Sequence, residues 1–212
     1  MFRLKDYLFV AAGLLISACN RPSETEIIVS RVEKNYTQSF QNYADWFALP
    51  VYYLQALAAV EVSGRKEIPQ RFEPHVYEKL LRVKKGQSDR FENILPDDLK
   101  EVPDSSLQAM AKSWGPFQLM GYKCFFLHIT VEELIDSSAF YGAQWIDLSY
   151  GDLLRQGDFV DAFHIHNTGK HLPEDSIPLT HDSLYIEKGM KYLQLFRQKG
   201  LKRKEKIRIK LR

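Results

Sequence analysis

Cysteine is nearly absent from this chain of 212 residues, with Cys19 and Cys124 the only two. Two cysteines cannot supply the several bridges of a disulfide scaffold, so the fold must stand on a hydrophobic core. Cys124 lies in the apolar run Cys124-Phe125-Phe126-Leu127 and is expected to be a small buried residue rather than a nucleophile. Long apolar runs are also missing. The nearest, Tyr7 to Ser17, falls short of the roughly 20 residues that a membrane-spanning helix needs. There is no internal repeat, no low-complexity segment and no HExxH motif. Few stretches alternate polar and apolar residues with period two. That pattern predicts a mainly α fold with at most a small β-hairpin.

What the chain does have begins at its ends. Arg3 and Lys5 precede the apolar stretch, which closes on Ser17, Ala18 and Cys19. A charged start, a short apolar run and small residues before a cut site read as a secretory signal. Leu15-Ile16-Ser17-Ala18-Cys19 resembles the bacterial lipobox, which implies lipidation at Cys19 and a membrane anchor made of acyl chains. The alternative is an ordinary cleaved signal with a chance cysteine. Asn20 after the lipidated position favours the outer membrane over the inner one, with the domain facing the periplasm. An exported chain has no call on nucleic acid.

Charge is unevenly spread. Nine Lys or Arg and one Glu between Arg197 and Arg212 give that segment +8. With +1 in residues 1–6 and a total of +2, residues 7–196 carry −7. A block of like charge is either a solvated tail or a site of attraction to anionic lipid or wall polymer. The expected organisation is a signal peptide over 1–18, a polar tether over 19–36, one folded domain over 37–196 and a basic tail over 197–212.

Three segments inside the domain hold more polar, Gly and aromatic residues than packing requires. The first is Ala59-Val60-Glu61-Val62-Ser63-Gly64. Pro50 opens an apolar helix, Ser63-Gly64 closes it, and Glu61 sits near its end. A carboxyl shielded from water holds its proton to higher pH, which the general acid of a glycosidase must do. Read alone, Glu61 could as well be a solvated residue at a frayed end. The second is Lys112-Ser113-Trp114-Gly115-Pro116-Phe117-Gln118-Leu119-Met120-Gly121. It combines close backbone approach, flat apolar faces and an amide, features that suit a sugar ring. The third, Ala162-Phe163-His164-Ile165-His166-Asn167-Thr168-Gly169-Lys170-His171, is expected to be a polar loop lining a cleft. Its histidines lack the further ligands a zinc site needs, so no metal is expected.

In their order along the chain these segments resemble the N-acetylmuramidase family of phage endolysins and bacterial wall hydrolases, within the lysozyme-like superfamily. The likeness runs over roughly residues 50–196. Ala58-Ala59-Val60-Glu61 with Gly64 is similar to the family's helix ending in an acidic residue. Arg71-Phe72-Glu73-Pro74-His75-Val76-Tyr77 matches the segment that follows it. Ser113-Trp114-Gly115-Pro116-Phe117-Gln118-Leu119-Met120-Gly121 matches the family's Ser-Trp-Gly-x-x-Gln-x-Met-Gly segment closely. Asn167-Thr168-Gly169 and the later Tyr185 are similar to its Tyr-Asn-Gly loop and downstream Tyr. The chain departs from the pattern at Val62, where the family has Ser, and at His166, where it has Tyr. The stretch from Gly64 to Arg71 is shorter, and Thr168 intervenes in the loop.

The resemblance implies a lysozyme-like helical domain that cleaves the β-1,4 bond between N-acetylmuramic acid and N-acetylglucosamine in peptidoglycan, with no cofactor. Glu61 would be the general acid, and Glu73 a second carboxylate or a residue orienting the site. Ser113, Trp114, Gln118, His166, Asn167 and Tyr185 would line the glycan groove. Water or the sugar's own 6-hydroxyl could capture the cationic centre, giving a hydrolase or a lytic transglycosylase. The competing readings are a catalytically silent wall-binding lipoprotein that keeps the groove, and an anchored scaffold of unrelated helical fold.

Overall fold

A computed structural model describes residues 21–210. The signal segment and Cys19 lie outside the described residues. Helix α1 spans Glu24–Phe47, and its residues 24–36 fall where the sequence reading expected a tether. Its start is a full capping box: the Ser23 hydroxyl accepts from the Glu26 backbone N–H, and the Glu26 carboxylate accepts from the Ser23 N–H. Ile28, Val29, Val32, Tyr36, Phe40 and Ala44 recur every three or four residues and are all buried. The domain therefore begins near residue 24, and the polar residues of α1 are merely its solvent face.

Helix α2, Val51–Val62, is flanked by α1 and by the last helix, α10, Tyr185–Lys210. Being covered on both sides, it shows no polar stripe and buries Tyr53, Leu54, Ala56, Leu57, Ala58 and Ala59. It stops where expected: Ser63 and Gly64 take left-handed conformations at φ 51° and 65°. A methyl group on Gly64 would lie 2.8 Å from both Val32 Cγ2 and the Val32 backbone nitrogen, so α1 leaves no room for a side chain at this turn. Asn35 donates to the Gly64 carbonyl at 2.8 Å, and the Tyr36 hydroxyl donates to the Arg65 carbonyl. The "tether" is thus the clamp on the turn just past Glu61.

A second lobe follows. Strand β1, Arg71–Phe72, leads into α3, Pro74–Lys84, with Pro74 in its first turn. Short helices α4, Pro96–Leu99, and α5, Asp104–Met110, come next. Strands β2, Lys112–Trp114, and β3, Leu119–Met120, form the expected hairpin, and β1 adds a third antiparallel strand, pairing Arg71 with Ser113. Helices α6, Cys124–Leu127, and α7, Val131–Asp136, complete the lobe, the latter capped by the Thr130–Glu133 box. Leu80, Ile94, Leu99, Leu107 and Leu134 form its core. Cys124 lies within that core; burial pushes its thiol up to about 12, which leaves it unreactive.

Helix α8, Ser138–Gln156, touches both lobes and breaks its helical geometry at Tyr150, beside Gly151. Helix α9 covers Phe159–Thr168. The segment expected as a polar loop is therefore mostly helix, and Gly169 is its left-handed cap at φ 73°. Helix α10 also departs from expectation, since the basic segment continues it to Lys210 instead of leaving it at Phe196. Lys199 and Arg203 both pair with Glu33 of α1, at 2.7 and 3.2 Å.

Candidate functional site

Glu61 stands on the last turn of α2, its side chain 17 % exposed. The Tyr185 hydroxyl, from the first residue of α10, donates to its Oε1. Burial first, and the adjacent Glu61 charge second, push the Tyr185 phenol well above its ordinary range, so it stays a donor. His166 Nε2 lies 3.7 Å from the same oxygen. That nitrogen is 3.0 Å from the Phe117 carbonyl, while Nδ1 is 2.6 Å from the Tyr150 hydroxyl. A carbonyl can only accept, which assigns the proton to Nε2 and makes Nδ1 the acceptor from Tyr150. Burial lowers the His166 pKa from its ordinary 6.5, against the opposing pull of Glu61 and the Phe117 carbonyl, so the ring is neutral near pH 7. The Tyr53 hydroxyl approaches Tyr150 at 3.5 Å and extends this buried polar row.

Tyr185 alone hydrogen-bonds Oε1, with the His166 ring beside it, and Oε2 has no hydrogen-bond partner among the described residues. The open side of Glu61 is a cavity of about 110 Å³ shared with Val62, Ser63, Arg65, Ile68, Pro69 and Gln118. Gln118 also lines a larger cleft of about 700 Å³ between the two lobes. One wall of that cleft carries Glu73, His75, Tyr122 and Lys123; the other carries Trp145, Ser149, His166 and Asn167.

The anticipated site residues thus divide. Glu61, His166 and Tyr185 meet directly. Gln118 stands between the two cavities with a left-handed backbone, φ 49°. Its amide oxygen accepts from the buried Ser113 hydroxyl at 2.7 Å and its amide nitrogen donates to the Gly115 carbonyl at 3.1 Å. Ser113 and Gln118 therefore brace the β2–β3 turn. Asn167 is exposed on the cleft wall. Glu73 faces the cleft 20 % exposed and is held by Arg71 at 2.7 Å. Trp114 lines neither cavity: its ring packs on the second core and its N–H bonds the Ala109 carbonyl at 2.9 Å. Tyr185 is 5 % exposed and stands behind the carboxyl rather than along the cleft. His164 is wholly buried and joins the Lys170 carbonyl to the Leu179 N–H, a structural role.

Several cleft residues escaped the sequence reading. Lys123 lies within 5 Å of three ring centroids, at 4.8 Å from Tyr122, 4.9 Å from Phe126 and 4.5 Å from Trp145, and pairs with Glu92 at 2.9 Å. Tyr122 and Lys123 directly follow Met120-Gly121 and could have been reached by extending that motif. Trp145 and Glu92 come from other elements, and nothing local marks them.

Two lobes with a cleft between them, a buried helix carrying an inward carboxyl and a small sheet define a mainly α, lysozyme-like fold. No family model matches the chain, and no curated protein does. Among solved structures, it is similar to the crystal structure of Burkholderia AP3 phage endolysin, with a TM-score of 0.51 and 16 % identity over 77 % of this chain and 70 % of that one. At that identity the likeness speaks for the fold alone.

Proposed function

We propose that this protein cleaves peptidoglycan glycan strands, in keeping with its likeness to an endolysin, at the bond between N-acetylmuramic acid and N-acetylglucosamine. The observation that carries the reading is the Glu61 carboxyl, shielded from water and held at Oε1 by Tyr185 while its other side faces a cavity. Glu61 protonates the leaving oxygen through Oε2 as general acid. The oxocarbenium-like centre is captured by water or by the sugar's own 6-hydroxyl. Asn167 and Trp145 contact the strand along the larger cleft, and Glu73, fixed by Arg71, orients that wall. Zymography on peptidoglycan tests the proposal: the wild-type chain clears the gel and Glu61→Gln does not. Equal clearing by both removes Glu61 from the mechanism. Masses of the released muropeptides separate hydrolysis from the anhydro product.

One observation favours the second reading, a silent wall-binding protein. Glu61 opens onto the smaller cavity, and the braced Gln118 side chain stands between it and the larger cleft. On that reading the wild-type chain sediments with purified walls and clears nothing. The lipobox-like segment places the protein, in our proposal, on a lipid anchor at Cys19 in the envelope, facing the periplasm, with the outer membrane favoured by Asn20. Incorporation of labelled palmitate that Cys19→Ala abolishes is the corresponding test. The basic end of the chain is assigned to anionic lipid or wall polymer.

A further inference from the structure

A third cavity lies between α1, α2 and the distal half of α10, at the opposite end of α2 from Glu61. Its volume is about 390 Å³, within the range of small-molecule sites. Val51, Tyr52, Phe196 and Leu201 give it an apolar wall. Gln55 also lines it, and, tyrosines aside, it is one of three polar side chains buried among the described residues, at 9 % exposure. Every other buried polar side chain has a role: Ser113 braces Gln118 and His164 pins the loop after α9. Gln55 has no hydrogen-bond partner among the described residues. No side-chain nitrogen or oxygen is buried without a partner among the described residues, so the Gln55 amide opens into the cavity, where an occupant can bond it.

The rim supplies the charge preference. Arg197, Lys199 and Arg203 border the cavity against the single carboxylate of Glu33. Glu33 is taken up by Lys199 and Arg203. Arg197 has no carboxylate partner among the described residues, and its guanidinium lies 6.0 Å over the Tyr52 ring. The lining is thus net positive, with one guanidinium free to take an anion. We infer that this cavity binds the head of an acidic phospholipid, with the phosphate on Arg197, the head-group hydroxyls or ester on Gln55, and the first methylenes against Tyr52, Phe196 and Leu201. The volume suits a head group with its glycerol, not a whole lipid. The +8 carried by residues 197–212 draws the same anionic surface toward this end of the molecule.

The test is calorimetric titration of the full chain with soluble dihexanoyl lipids. Dihexanoyl phosphatidylglycerol is expected to bind at least tenfold more tightly than dihexanoyl phosphatidylcholine. Glycerol phosphate, which carries the anion without acyl chains, is expected to bind at least tenfold more weakly than the lipid. Arg197→Gln, at an exposed position that leaves the fold intact, and Gln55→Leu are each expected to weaken phosphatidylglycerol binding about tenfold. Lys202→Gln, on the same helix but outside the cavity, is expected to change it less than twofold. Equal affinity for the two lipids overturns the proposal. So does glycerol phosphate binding as well as lipid, or Arg197→Gln binding like wild type. Binding by Glu61→Gln should match wild type whatever becomes of the wall-cleaving reading.

Discussion

Replacing His166 by Gln should flatten the acid limb of the protein's stability. His166 is neutral in the folded chain because burial outweighs the pull of Glu61, and its pKa lies below the ordinary 6.5. Below pH 6.5 the unfolded chain takes up a proton at residue 166 and the folded chain does not. Stability is therefore fully present above that value and is lost as pH falls toward the depressed folded value. One proton of difference sets the steepest slope at about 1.4 kcal/mol per pH unit. The two proteins differ at residue 166 alone, so the difference between wild type and His166→Gln isolates this group. Urea unfolding at half-unit steps from pH 7.5 downward gives the two curves. The variant should start lower, having lost the packed ring and its bonds to Tyr150 and Phe117, and the curves should converge as pH falls. Parallel curves throughout the acid range would refute the buried neutral ring.

Tyr185→Phe removes the phenol that donates to Glu61; a hydrogen bond to a carboxylate contributes about 1.5–3 kcal/mol, so turnover on cell-wall suspensions should fall roughly 10–150-fold with KM little changed. Phe40→Ala deletes a fully buried ring stacked on Tyr36 at 4.8 Å and on Phe117 at 5.0 Å. It should cost about 3–5 kcal/mol in urea unfolding; an unchanged midpoint would mean that α1 does not pack on the domain. Gly64→Ala forces a methyl onto Val32 at a left-handed backbone position and should destabilise by about 1–3 kcal/mol; a neutral result would mean that α1 does not press on this turn.

The elements that local chemistry punctuates were legible in the chain. Pro50 and Ser63-Gly64 bracket α2, and Thr130 and Glu133 open α7. Helix α1 was hidden because its six buried residues are spread over 24 positions and diluted by polar ones, although the Ser23–Glu26 capping box was there to be read. Asn167-Thr168-Gly169 looked like a loop because it holds loop-forming residues, yet Gly169 is a helix cap. The placing of Trp114 failed for another reason, since an aromatic that could stack on a sugar can equally well pack on the second core. Partners of Glu61 were beyond local reading altogether: Tyr185 is 124 positions away, and only the packing of α10 on α2 brings it there.

That distance has a temporal meaning. Helix α2 acquires its second flank only from α10, so a chain emerging from N- to C-terminus exposes Glu61 until nearly all of it has been delivered. Closing a contact across so many residues carries a large entropic toll and makes folding slow. The niche around this carboxyl is complete only once Tyr185 has docked, and a shortened chain lacking α10 would leave it wet.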